Sequence, residues 1–178
     1  MSVRLGLLAL LDQGACYGYQ LRTELDWRTG STGPVNVGQI YNTLDRLERD
    51  KLVRKTGENN RYEITPAGRV EVSTWFAAPS ASADLAAKLA LASTLPGVDV
   101  ATIIRIQRAG SAPASVDVSG PESSEQLAGA VVAAASAIAA RAEQQLLVEM
   151  ERLLEIAIPP TPLSSDVPKR GRPIKVLN

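Results

Sequence analysis

Apolar residues recur along the first half of the chain in steps of three and four, and the phase resets at short polar or glycine-rich breaks. Val3 to Leu11 are apolar on nearly every side, which predicts an enclosed core helix that Ser2 can cap and Asp12-Gln13-Gly14 ends. A second helix begins near Gly18, with Tyr17, Leu21 and Leu25 as its buried stripe and Tyr19, Arg22 and Glu24 at its flanks, and stops before Gly30-Ser31-Thr32-Gly33-Pro34. Asn36 is a good N-cap for a third, and Gln39 stands where its side chain can reach back to the cap in a variant of the capping box. On that helix Val37, Ile40, Leu44 and Leu47 fall on one side and Gln39, Asn42, Arg46 and Arg49 on the other. A strand from Leu52 to Thr56, a turn at Gly57-Glu58-Asn59-Asn60 and a returning strand from Arg61 to Thr65 form a hairpin. Three helices are thus followed by a wing.

Thr65 can cap a further helix with Pro66 in its first turn, running to Trp75-Phe76. Residues 77–83 are Ala, Pro and Ser, the composition of a connection, and set a boundary near residue 79. The second half then reads as helical. Asp84 to Leu95 carries Leu85, Leu89 and Ala92 on one face, and Asp99 caps a helix with Val100, Ile103, Ile104 and Ile106 that ends near Gly110. Residues 111–120 are loop-like, with a short strand possible over Ser115 to Val118. Pro121 opens the longest helix, about 36 residues to Ala157 and about 50 Å long at the usual rise. Its apolar stripe is Leu127, Val131, Ala134, Ile138, Ala142, Leu146, Met150, Leu153 and Ala157. Two short helices cannot cover a stripe of that length, so it predicts a partner, with a second copy as the leading candidate and folding back onto the N-terminal half as the alternative. Leu127, Val131, Ile138, Leu146, Met150 and Leu153 are the expected dimerisation residues.

The fold class expected is mainly α. An N-terminal winged helix-turn-helix occupies residues 1–79, a helical dimerisation domain residues 80–158, and a flexible Pro-rich basic tail residues 159–178. The formal net charge is zero, but it is divided into +1 over residues 1–76, −5 over 77–166 and +4 over 167–178. An acidic middle confines any nucleic-acid contact to the first module and the tail. No stretch reads as a membrane span or a signal peptide. The single cysteine, Cys16, cannot form an internal disulfide, so a cytoplasmic setting is expected, with Cys16 as packing rather than chemistry.

The chain has no histidine, which removes His-based acid-base catalysis, Ser-His and Cys-His nucleophiles and His metal sites. It carries no Walker motif, GxGxxG or cysteine cluster, so no enzyme, cofactor or metal site is expected. The outward face of the third helix instead offers groups that read duplex DNA. Asn42 and Arg46 are placed for base edges, Arg matching guanine O6 and N7 and Asn matching adenine. Tyr41 flanks that face and either reaches a phosphate or packs as a partly buried aromatic, and Gln39 either reads DNA or completes the cap. On the wing, Lys55, Asn59, Asn60 and Arg61 are candidate phosphate or minor-groove contacts, against the reading of a solvated turn. Trp27 and Trp75 either pack in the core or line a pocket for a planar effector.

Tyr17-Gly18-Tyr19-Gln20-Leu21, Gly38-Gln39-Ile40-Tyr41 with Leu44-Asp45-Arg46-Leu47-Glu48 and Leu52-Val53, and Arg61-Tyr62-Glu63-Ile64-Thr65-Pro66-Ala67-Gly68-Arg69 together resemble the PadR family of bacterial winged-helix regulators. The resemblance covers about residues 3–76 and extends loosely into the second module. It implies a homodimer that binds a palindromic operator in double-stranded DNA and represses, often until a small phenolic or drug-like ligand weakens binding. Two positions depart from the family pattern: Asn42 stands where many members have Pro, and Lys51 where many have Gly. A side chain at Lys51 costs roughly 1 kcal/mol if that residue ends the helix in the left-handed conformation. Pro168-Lys169-Arg170-Gly171-Arg172-Pro173 looks like an AT-hook, with Arg170 and Arg172 suited to the narrow A/T minor groove, against a basic tail with no specific role. Two rival functions remain: a winged helix used only for protein contacts, and another winged-helix family such as MarR, which places dimer helices at both chain ends.

Overall fold

The computed structural model describes residues 2–30, 35–57, 60–110, 123–156 and 158–164. In chain order the elements are α1 (Val3–Asp12), α2 (Gly18–Arg28), α3 (Val37–Arg49), β1 (Val53–Thr56), β2 (Arg61–Ile64), α4 (Pro66–Phe76), α5 (Ser82–Thr94), α6 (Val100–Gly110) and α7 (Ser124–Leu154). The fold is mainly helical with a two-stranded antiparallel wing, in the register Val53 to Ile64 and Thr56 to Arg61. Cys16 adds a bridge to the wing through its backbone, donating to the Tyr62 carbonyl at 3.0 Å and accepting from the Tyr62 amide at 2.8 Å.

The first core is built around residues 6–11 of α1: Leu7, Leu8, Leu10 and Leu11 pack with Leu21 and Leu25 of α2, Ile40, Leu44 and Leu47 of α3, and Val53, Tyr62 and Ile64 of the wing. A second cluster joins Leu85, Leu89 and Ala92 of α5 to Val100, Ile103 and Ile104 of α6 and to Leu147 of α7. Helix α5 serves both, because Leu91 on its other side and Leu95 just past its end belong to the first core. The connection at residues 77–81 is therefore short, and the two halves share a wall rather than hanging from a linker.

Local chemistry explains the junctions. Thr65 caps α4 by accepting from the Gly68 amide, with Pro66 in the first turn, and its hydroxyl donates to the Lys51 carbonyl at 2.8 Å. Gly68 is required there: an added Cβ would lie 2.3 Å from the Leu52 carbonyl oxygen. Helix α3 ends in a Schellman motif, with Lys51 N–H donating to Glu48 O and Leu52 N–H to Leu47 O, and Lys51 takes φ 60°, the strained left-handed position expected of it. Asp99 accepts from the Thr102 amide at 3.0 Å, as an N-cap does.

Several expectations change. Ser2 stands at the N-cap of α1 but makes no side-chain cap bond, and α5 starts at Ser82 rather than Asp84. Val37 is 43% exposed, because it lies in the first turn of α3, which overhangs the core. Asn36 caps α3 through Gly38, and among the described residues Gln39 makes no reciprocal bond, so the capping box is not formed. Leu146 and Met150 pack within their own chain, because the second half of α7 lies on α5 and α6. The same stripe runs open elsewhere, with Leu127, Val131 and Ile138 at 53%, 60% and 65% exposure and Leu153 also exposed. The tail is not free from residue 159: Leu163 packs against the first core, and the Thr161 amide donates to the Thr94 carbonyl at 3.1 Å. Pro121, Ala157, Ser115 to Val118 and the basic segment with Arg170 and Arg172 lie outside the described residues.

Candidate nucleic-acid interface

Helix α3 is positioned by Ile40, Leu44 and Leu47, all fully buried against α1 and α2. That anchoring turns Gln39, Asn42 and Arg46 outward, and all three are exposed. Among the described residues none of their side chains makes a hydrogen bond or ion pair within the chain, so amide and guanidinium groups are presented together to solvent. Arg49, one turn further, faces only its neighbour Asp50 at 3.8 Å. An Asn and an Arg four residues apart on a helix face can each make paired contacts to base edges, the Asn with adenine and the Arg with guanine.

Tyr41 lies elsewhere on the helix, about 160° from Gln39 at the usual helical twist. Its ring covers Gly18 at the start of α2, where an added Cβ would meet Tyr41 Cε1 at 2.7 Å. Glycine at the first residue of α2 therefore lets the two helices of the motif meet through this ring, and Tyr41 remains partly exposed beside the outer face.

The wing residues are more committed than the sequence suggested. Lys55 donates to Glu48 at 2.7 Å and lies 3.8 Å from Asp45, so it ties the wing to α3 and offsets two acids on that helix. The Glu48 hydrogen bond holds the Lys55 ammonium above its ordinary pKa. Arg61 donates to the Ala15 carbonyl, with its guanidinium 5.6 Å from the Tyr17 ring, which fixes the base of the wing to the α1–α2 loop. Arg54 pairs across the strands with Glu63 at 2.9 Å. Asn60 is exposed at the turn with φ 50°, and Asn59 lies outside the described residues.

Trp27 and Trp75 do not come together. Trp27, on α2, donates to Glu24 at 3.2 Å and lies under the Arg28 guanidinium at 4.4 Å, whereas Trp75, on α4, stacks on Phe76 at 4.7 Å. A cavity of about 330 Å³ opens between α1, α4 and α6, lined by Ala9, Val72, Phe76, Val98 and Ile106 with the Asp12–Arg69 ion pair at its polar side, and neither tryptophan lines it.

Three of the buried charged residues carried no clear sequence signal. Glu24 and Arg28 are 4% and 2% exposed and bond each other at 2.8 Å. The four-residue spacing was visible, but an i, i+4 pair on a helix ordinarily faces water. Lys88 is buried beneath the end of α4, donating to the Trp75 and Ala78 carbonyls at 2.7 Å each, and burial lowers its pKa to about 8. Among the described residues no cluster of acidic or cysteine side chains could hold a metal, and no helix is long and apolar enough to cross a membrane.

Residues 7–74 match the family described as the transcriptional regulator PadR-like family. No curated protein matches the chain. Among solved structures, the chain is similar to the Vibrio cholerae virulence activator AphA, at 21% identity over 88% of this chain and 100% of that one, with a TM-score of 0.40. It is similar to the PadR-like transcriptional regulator BC1756 from Bacillus cereus, at 21% identity over 85% and 99% of the two chains, with a TM-score of 0.41. Bacillus subtilis PadR in complex with operator DNA is 18% identical over 86% and 96%, with a TM-score of 0.36.

Proposed function

Through residues 7–74 this chain belongs to the PadR-like family of transcriptional regulators, and we propose that it acts in the cytoplasm as a homodimeric, sequence-specific repressor that binds double-stranded DNA. The observation that carries the reading is the outer face of α3, where Gln39, Asn42 and Arg46 stand exposed on a helix whose opposite face is locked into the core. Asn42 and Arg46 read base edges. The wing, through Asn60 and its neighbours, positions the module on phosphates. Arg61 and Lys55 contribute mainly by holding the wing in place, since both are engaged within the chain.

Dimerisation uses the open stripe of α7, with Leu127, Val131 and Ile138 as its centre and Leu153 at its far end. What supports this is the run of large apolar side chains left exposed along one helix. A second copy sets the two recognition helices at a fixed separation, which a palindromic operator requires. The basic segment with Arg170 and Arg172 adds minor-groove contacts, and a small planar effector would enter the cavity between α1, α4 and α6, where a shift of α4 or α6 is transmitted to both cores.

The test is selection of bound genomic fragments by the purified chain. Recovery of a shared sequence with two inverted half-sites supports the proposal. Failure to enrich any sequence, with the protein folded, points to a winged helix used for protein contacts instead.

A further inference from the structure

The Glu24–Arg28 pair is buried at a place where burial is expensive, and its bonding shows what it is for. Arg28 Nε donates to Glu24 at 2.8 Å and Nη1 to the Thr94 carbonyl at 2.7 Å, which joins α2 to the end of α5. Nη2 donates to the Thr161 carbonyl at 2.8 Å and the Pro162 carbonyl at 3.3 Å. The second oxygen of Glu24 accepts from the Ser164 amide at 3.0 Å, and Gln20 donates to the Ser164 carbonyl. Leu163 inserts toward the first core beside Gly14. The donors and acceptors of two buried charges are thus met in large part by the backbone of one extended segment.

The sequence of that segment suits the site. Pro159, Pro160 and Pro162 have carbonyls but no amide hydrogen, so the strand presents acceptors to an arginine without bringing unmatched donors into the interface. Proline also restricts the free segment to extended conformations, which lowers the entropy lost on docking. An arginine stacked on a tryptophan beside it, here Arg28 on Trp27, is the kind of surface such segments pack against.

We propose that α2 carries a built receptor for an extended proline-rich segment, occupied by the chain's own residues 159–164, and that this strap latches α2 to α5 and anchors the tail at the winged helix. The strap ends beside the α1–α2 loop, which also pairs with the wing. Arg170 stands 170 − 164 = 6 residues beyond Ser164, but 170 − 154 = 16 beyond the end of α7. At full extension these are reaches of about 20 Å and about 55 Å, so the latch confines the basic segment to a volume about twentyfold smaller. That consequence for DNA rests on the function proposed above; the latch itself does not.

Residue-resolved hydrogen exchange on the full chain without DNA tests it. The Thr161 and Ser164 amides should exchange at least tenfold more slowly than in a free peptide of the same sequence. In the double variant Glu24→Leu/Arg28→Met, whose apolar side chains keep the core filled, both amides should revert to the free rate while those of α1 and α3 stay protected. The strap-side variant Leu163→Ser should give the same release without touching α2. Free-peptide rates at Thr161 and Ser164 in the unaltered chain, or protection that survives both variants, would overturn the latch. A latch that stands while deletion of residues 167–178 leaves operator binding unchanged would refute only the DNA role of the tail.

Discussion

Helices α2 and α3 belong to one motif, yet they use their polar side chains in opposite ways. On α3, Gln39, Asn42 and Arg46 stand in solvent with no partner among the described residues, as a surface waiting for an external ligand must. On α2, Glu24 and Arg28 are buried and bonded by the rest of the chain. An arginine's residue type therefore says little about its role. What decides is whether the fold supplies its acceptors or leaves them to a partner.

Breaking the α2 side should have the largest effect. Arg28→Leu leaves Glu24 buried without its cation and should lower folding stability by about 3–5 kcal/mol, read as a denaturant midpoint shift. If Arg28 behaved like a surface residue, the midpoint would move by no more than a few tenths of a kcal/mol. The α3 side predicts the converse. Arg46→Ala should leave the midpoint unchanged and weaken operator binding by about 1–3 kcal/mol, roughly 5- to 150-fold, while relaxing preference at one base position.

A second buried cation sharpens the contrast, because Lys88 has carbonyl partners but no carboxylate, and unlike arginine it can give up its proton. Its folded pKa of about 8 lies below the ordinary 10.5. The stability it contributes is present above pH 10.5 and is lost as pH falls through 8. The stability of the parent relative to Lys88→Met should thus rise by about 1 kcal/mol between pH 7 and pH 9. A difference that stays flat across that range would count against the buried ammonium. Cys16 acts in the other direction: burial raises its thiol from 9.0 to about 11, so its contribution is full below pH 9 and lost as pH rises through 11. Measurements up to pH 9 keep the two apart.

The smallest effect is expected at Lys51, where α3 ends at φ 60°. Lys51→Gly should raise stability by up to about 1 kcal/mol with operator affinity unchanged apart from any loss of one positive charge. A destabilised Lys51→Gly would show that the Lys side chain makes up for its strain.

The elements and the exposed polar face of α3 were legible because they depend on local signals: the caps at Asn36, Thr65 and Asp99, the three-and-four spacing of Ile40, Leu44 and Leu47, and the turn between the strands. What was not legible depends on contacts between residues far apart in the chain. Glu24 looked like a flank residue of α2 because its partner Ser164 is 140 residues away, and residues 159–164 looked like part of a flexible tail for the same reason. Lys55 looked free for DNA because nothing in its local sequence shows that Glu48 lies across from it. The stripe on α7 was read as uniform, but Leu146 and Met150 pack with α5 and α6 beside Leu147 and so left the open face, while Leu127, Val131 and Ile138 stayed on it.

The central claim is that the exposed face of α3 reads DNA. Its most direct test is the affinity of the parent and of Arg46→Ala for the fragment recovered from genomic selection, measured on proteins with matched unfolding midpoints. A loss of roughly 5- to 150-fold is expected for the variant. Equal affinity of the two proteins would contradict it.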